Sequence, residues 1–277
     1  MKRNIFSSTV LLLVIGLVYF SSCSDDDNDE KKYGTANPLS SNVSYVPKGY
    51  SFEYNAQGLL TAILKETGDT RTRSNVMTTV AEFTYPQVGR AVMSCPESKS
   101  QYAFAFGANH FAYKIIEKDD DGEVSVIDIK YDTEGHIIYY DDSGVDRFSM
   151  EWSGGNMVRM TDKSIDNEHK AYATLTYTAD TDFARYSMSP FLTDYAIWNG
   201  SPYGPDLTWF LGSDLCYATQ AGFLGRPSVN LPATIVSYDK ENKTPSKYQF
   251  NYYHYTSTDQ EGNNIRVYLW KKELAAE

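Results

Sequence analysis

The sequence predicts an all-β domain, an antiparallel meander of hairpins with one short helix-containing insertion. Three observations predict it. Apolar and polar residues alternate with period two along most of the chain after Tyr50, which places one face of each strand in a core and the other in water. The chain carries 23 Tyr, 13 Phe and 4 Trp, residues that favour a pleated, half-buried surface over a helical bundle. A loose unit of strand, polar turn, glycine and second strand also recurs without a strict period, the mark of successive hairpins.

From the start, Met1-Lys2-Arg3 is basic and Thr9 to Phe20 is apolar. That run is shorter than the roughly 20 residues a membrane-spanning helix needs. Small Ser21 and Ser22 follow, then Cys23. A basic start, a short apolar core and small residues describe a signal peptide. Tyr19-Phe20-Ser21-Ser22-Cys23 resembles a bacterial lipobox, with Phe20 where a smaller aliphatic is usual. The resemblance implies that Cys23 becomes the first, lipidated residue. The acidic run Ser24-Asp25-Asp26-Asp27-Asn28-Asp29-Glu30 has little to bury and repels itself. A Cys-Ser-Asp-Asp-Asp start resembles the surface lipoproteins of the Bacteroidetes. That likeness implies a surface-export signal in Ser24, Asp25, Asp26, Asp27, Asp29 and Glu30, and a lipid-anchored place on the outer membrane, facing the exterior. The chain thus divides into a signal peptide (1–22), a lipidated acidic tether (23–46) and a single β domain (47–277).

Charge narrows the partners. The precursor has 25 Lys plus Arg against 36 Asp plus Glu, a net charge of −11. Cleavage before Cys23 removes Lys2 and Arg3 and no acid, taking the balance to −13. Nucleic acid needs basic neutralisation of its phosphates and is excluded as a partner. An acidic domain does not grip anionic lipid either, so the membrane contact falls to the N-terminal lipid. Beyond Cys23, Cys95 and Cys216 can pair in an oxidising compartment or stay as two buried thiols.

The strands follow in order. Tyr50–Tyr54, Ala81–Tyr85, Tyr102–Phe106, Val124–Tyr131, Phe148–Trp152, Ala173–Tyr177, Tyr248–Tyr252 and Ile265–Trp270 all alternate. Hairpin units run from Phe52 through Asn55 and Gly58 to Ile63, from Ile129 through Asp132 and Gly135 to Tyr139, from Met150 through Gly154-Gly155 to Met160, and from Tyr255 through Gly262 to Ile265. Asn or Asp opens such a turn by bonding its own backbone, and the glycine takes the positive φ that follows. The stretch from Met188 to Leu224 breaks the rhythm with Pro190, Pro202 and Pro205 among bulky apolar residues. Within it, Leu207, Phe210, Leu211, Asp214 and Leu215 fall at helical spacing, and Pro205-Asp206 suits a first turn. The expectation is a short helix over Pro205–Leu215 that covers the apolar face or plugs one end of the sheet. Strands restart at Leu231-Pro232.

The Asn/Asp-x-x-Gly hairpins, the Pro/Trp-rich insertion and the Asn230-Leu231-Pro232 restart together resemble a Bacteroidetes family of unknown function with a porin-like fold. The resemblance covers about Tyr50 to Trp270. It implies a strongly curved antiparallel sheet, either an open meander or a barrel-like sheet that nearly closes, and supplies no catalytic residues.

Chemistry is sparse. His110, His136, His169 and His254 show no metal-ligand spacing, and a structural histidine is the commoner case. No Gly-x-Ser-x-Gly elbow occurs. Asp119, Asp121 and Glu123 resemble part of a calcium loop without its later ligands, and the plainer reading is a solvated hairpin turn. Calcium at these three is the sole metal reading, and no other cofactor is expected. Asp141-Asp142, Asp146 and Glu151 offer paired carboxylates of the kind a glycosidase needs, or acids on a solvated face. Tyr195, Trp198, Asn199 and Tyr203 lie in a Gly- and Pro-rich loop. Aromatic faces pack against sugar C–H bonds and Asn holds hydroxyls, so these four are the candidate ligand site, unless they serve to pack the insertion on the sheet. The leading function is a noncatalytic surface lipoprotein that binds a glycan or envelope proteins. A glycan-acting hydrolase and a structural or adhesin-like protein are the alternatives.

Overall fold

A computed structural model describes residues 50–69, 74–143, 146–163, 172–179, 214–215, 217–226, 228–230, 232–238, 246–258 and 264–274. Fourteen strands occur among them: β1 (Tyr50–Tyr54), β2 (Leu60–Asp69), β3 (Ser74–Gln87), β4 (Arg90–Cys95), β5 (Ser100–Phe106), β6 (Ala112–Lys118), β7 (Val124–Tyr131), β8 (Ile137–Asp142), β9 (Asp146–Ser153), β10 (Asn156–Asp162), β11 (Tyr172–Tyr177), β12 (Pro232–Tyr238), β13 (Ser246–Thr258) and β14 (Asn264–Leu274). They form one sheet in sequence order, each antiparallel to its chain neighbour. The meander is therefore the one the hairpin units predict.

Three turns share one chemistry. Asn55 Oδ1 accepts the N–H groups of Gln57 and Leu59, each at 3.0 Å. Asp132 Oδ1 accepts those of Glu134 and His136 at 2.9 and 2.8 Å, and Asp119 Oδ1 that of Glu123 at 2.8 Å. The glycine three residues on, Gly58, Gly135 or Gly122, has φ between 75° and 90°. At β5–β6 the same place is held by His110, with φ 69°.

Alternation puts Ala91, Met93 and Cys95 of β4, Tyr102, Phe104 and Phe106 of β5, Ile127 and Ile129 of β7, and Met150 of β9 into one core. Tyrosine hydroxyls at its margin are satisfied by backbone: Tyr85 donates to Leu60 O (2.7 Å), Tyr131 to Ala112 O (2.7 Å) and Tyr177 to Met157 O (2.6 Å). Burial pushes the Tyr85 and Tyr131 hydroxyls well above their usual pKa.

The strongly curved, barrel-like sheet expected from resemblance is not what forms. Among the described residues β1 pairs with β2 alone and β14 with β13 alone, so the sheet is open, and close backbone approach between strands is concentrated at chain neighbours. Closure requires the first and last strands to meet in a register matched to strand tilt. Hairpin signals are local and carry nothing about that distant pairing. Leu215, Ala218, Ala221, Phe223 and Leu224 of the insertion pack into the core on the sheet's apolar face.

Of that insertion, residues 214–215 and 217–220 are helical, while 205–213 lie outside the described residues. The helix thus runs five residues beyond the expected end at Leu215. Leu215 and Ala218 enter the core, and Phe223 after the helix is fully buried. Its ring meets Phe83, Phe104 and Phe106 edge to face at 5.8, 5.0 and 4.9 Å.

Candidate functional site

Strand parity turns Tyr102 of β5 and Glu117 of β6 to the same face, opposite one another in register. The Tyr102 hydroxyl donates to Glu117 Oε1 at 2.9 Å and lies 3.4 Å from Asp214 Oδ2 at the first described helical residue. Ser98, in the β4–β5 turn, donates to the same Asp214 oxygen at 2.5 Å. Ser125 of β7 is the register partner of Glu117, and Asp142 of β8 stands opposite Ile127, two residues along the same face. Ser125 Oγ and Asp142 Oδ1 are both buried there. Burial raises the Glu117 carboxyl above its usual range, against the Tyr102 hydrogen bond and with the added charges of Asp142, Asp214 and Asp119. Burial also raises Asp142, although the Ser143 and Ser125 hydroxyls favour its charged form. Tyr102 is pushed far up by burial and by the two carboxylates it faces. The arrangement is a carboxylate cluster of Glu117, Asp142 and Asp214 beside the described helical residues.

At the other end of the sheet, residues 223–230 lace across three hairpin ends. Ala112 N–H donates to Phe223 O (2.8 Å), Arg226 N–H to Gly135 O (2.8 Å) and Val229 N–H to Gly155 O (3.0 Å). Met157 N–H donates to Ser228 Oγ (3.2 Å), and Asn156 and Asn230 exchange two bonds of 2.9 Å. Beside this lacing His136 is 4% exposed, stacked on Trp152 with ring centroids 4.3 Å apart. Its Nδ1 is 3.0 Å from Asp132 Oδ2. Burial alone would raise Asp132, but the His136 and Glu134 hydrogen bonds outweigh it and the carboxyl sits below its usual range. His136 is a packed turn residue.

The residues singled out in the sequence are distributed as follows. Asp119, Asp121 and Glu123 form the β6–β7 turn, where Asp119 is engaged with Glu123 N–H and Asp120 is 3.9 Å from Lys99. No group of three or more His, Cys, Asp or Glu able to hold a metal occurs among the described residues. Asp141 and Asp142 turn to opposite faces: Asp141 is 3.0 Å from Arg147 Nε and accepts the Tyr139 hydroxyl at 3.0 Å. Asp146 opposes Asp142 in register, and Glu151 lies 3.9 Å from Arg159. Cys23, the acidic run behind it, His169, Tyr195, Trp198, Asn199, Tyr203 and Cys216 lie outside the described residues. Cys95 is buried on β4, and His254 belongs to β13. The Glu117–Tyr102–Asp214 grouping was not expected. Its two signals were an acid at an inward parity position, Glu117 two residues after Ile115, and an acid, Asp214, among the apolar spacings of the predicted helix.

What fold and site define together is an all-β protein with an open antiparallel meander and a helical segment seated on its apolar face. No protein-family model and no curated protein matches the sequence. Among solved structures the chain is similar to a porin-like protein from Bacteroides uniformis, with a TM-score of 0.50 and 12% identity, covering 81% of this chain and 90% of that one. At that identity the likeness shows a shared fold.

Proposed function

We propose that this chain is a noncatalytic lipoprotein of the outer membrane, anchored through Cys23, whose β domain binds a partner or organises an envelope assembly without crossing the bilayer. The observation that carries this reading is the charge on the sheet's outward face. Lys114 of β6 pairs with Asp128 of β7 at 3.6 Å, Arg147 of β9 with Asp141 of β8 at 3.0 Å, and Arg159 of β10 lies 3.9 Å from Glu151. A membrane barrel turns an apolar band about 25 Å tall to lipid, and Arg or Lys at the bilayer midplane costs about 2–4 kcal/mol. Charges within successive strands suit water. The fold likeness to a porin-like protein supports the outer-membrane address, and the sequence signals at Cys23 to Glu30 support the lipid and the outward orientation.

The ligand we assign is a glycan, held by Tyr195, Trp198, Asn199 and Tyr203. Aromatic rings would stack on the sugar and Asn199 would hold its hydroxyls. A hydrolase would need two carboxylates facing one sugar; Asp141 and Asp142 are split between two faces, while Asp146 opposes Asp142 in register.

Two measurements test the proposal. Cys23→Ser moves the protein from the membrane to the soluble fraction if the lipid is its only hold, whereas retention in the membrane overturns the anchored, non-spanning reading. A glycan array with residues 24–277, with and without calcium, gives saturable binding that falls in Trp198→Ala or Tyr203→Ala while the fold is intact. Silence across a broad array, or consumption of the sugar, overturns the glycan-binding part.

A further inference from the structure

A sheet edge and a hairpin sequence meet at Tyr50. β1 stands at one edge of the sheet and, among the described residues, pairs with β2 alone. Residues 1–49 lie outside the described residues, and that part of the chain ends where β1 begins. Immediately ahead of β1 the sequence reads Asn42-Val43-Ser44-Tyr45-Val46-Pro47-Lys48-Gly49. We propose that Asn42–Val46 folds back through Pro47-Lys48-Gly49 and pairs antiparallel with β1, adding a strand at that edge. The occupant of the β1 edge is the last stretch of the chain's own tether.

The turn sets the pairing. Pro favours the second position of a type I turn, where its fixed φ fits, and Gly the fourth. Val46-Pro47-Lys48-Gly49 has both. A type I turn followed by a left-handed residue is a common three-residue hairpin loop. It sets Val46 against Tyr50, Tyr45 against Ser51, Ser44 against Phe52 and Val43 against Glu53. Val43, Tyr45 and Val46 favour strand, and Pro47 holds Val46 extended. Gly34, Pro38, Ser40 and Ser41 upstream do not extend the pattern. Val46 then flanks Tyr50 on the side where Tyr50 and Phe52, partly buried, pack against the core. Tyr45 and Val43 flank the exposed Ser51 and Glu53. So short a loop costs little entropy to close, whereas the other edge, β14, lies at the far end of the chain.

The strand also fixes where the tether leaves the domain. Turns of a meander alternate between the two ends of the sheet. Those at 55–58, 132–135 and 154–155 share one end, where residues 226 and 229 bond Gly135 and Gly155. β1 runs toward that end, so its antiparallel neighbour starts there. The tether leaves beside the 223–230 lacing, not at the opposite end where Tyr50 lies. Which end of the sheet then lies nearest the bilayer rests on the Cys23 anchor; the strand itself does not.

Site-resolved amide hydrogen exchange on the full chain in detergent tests the strand. Amides within 43–46 should exchange about tenfold or more below their intrinsic rates, while those at 32–41 match theirs. Gly49→Ala, which strains the turn, should remove most of that protection, and Gly34→Ala, upstream in the tether, should leave it unchanged. Tyr45→Pro, which cannot continue a ladder, should abolish it while the β5 and β7 amides hold. Cys23→Ser should keep it, so failure of the anchor leaves the strand standing. Intrinsic rates at 43–46 in the native chain, protection untouched by both Gly49→Ala and Tyr45→Pro, or protection lost with the lipid in Cys23→Ser would each overturn the strand. So would protection that grows with protein concentration, as pairing with a second copy would give.

Discussion

The ring of Phe223 meets Phe106 edge to face at 4.9 Å, joining the end of the inserted helix to the centre of the sheet. Phe104 and Phe83 close round the same ring, and all four side chains are buried. An edge-to-face set of this kind contributes beyond its buried area. Truncation leaves a cavity that packed strands cannot refill. Phe223→Ala should cost about 3–5 kcal/mol, read as a lower urea midpoint. A midpoint unchanged from the native chain would mean that the insertion is not part of the folded core.

Gly135, Gly225 and Gly154 all have positive φ, yet their surroundings differ. A Cβ on Gly154 would meet nothing within 4 Å, so Gly154→Ala should lose only the backbone term of about 1–2 kcal/mol. On Gly225 it would fall 2.8 Å from Gly135 O and 2.9 Å from a Tyr131 ring carbon. On Gly135 it would fall 2.6 Å from the Phe111 ring. Both of these substitutions should destabilise more than Gly154→Ala, because Gly225→Ala pushes the lacing off the β7–β8 hairpin and Gly135→Ala pushes that hairpin against Phe111. Equal losses at all three, measured by urea unfolding, would remove the close approach as their cause.

The hairpins were legible because their signals are local. Asn55 to Gly58 and Asp132 to Gly135 spell out turn and bond within a few residues, and the structure uses them so. The β5–β6 turn was not legible, since His110 occupies the place a glycine announces elsewhere. Nor was the carboxylate cluster: Tyr102 and Asp214 are 112 residues apart, and only the seating of the helix brings them together. Whether the sheet closes belongs to the same class of distant pairing. The split of Asp141 from Asp142, in contrast, follows from strand alternation alone and could have been read beforehand.

Acid and alkali should both destabilise this protein, through different carboxyl groups. Asp132 titrates below its ordinary 3.8, so the stability it contributes is complete above that value and is lost as pH falls through the lower folded value. Glu117 and Asp142 titrate above their ordinary 4.5 and 3.8. Their contribution is complete below those values and is lost as pH rises through the raised ones. Urea midpoints across pH should therefore fall on both sides of a mildly acidic maximum. Glu117→Gln should flatten the alkaline limb and Asp132→Asn the acid limb. A maximum that stays put with both limbs intact in both variants would assign the pH dependence to other groups.

Asn156 and Asn230 form the most symmetrical link in the lacing, joined by two bonds of 2.9 Å. Asn156→Ala removes both of these bonds from the half-buried Asn230. Such a loss costs about 1–3 kcal/mol. The cost should be felt locally, because Met157 N–H still reaches Ser228 and Tyr177 still donates to Met157 O. Amide exchange at Val229 and Asn230 should accelerate while the β5 and β7 amides keep their protection. Acceleration spread evenly over the sheet would mean that the 223–230 segment and the strands unfold as one unit, and that the lacing has no stability of its own to lose.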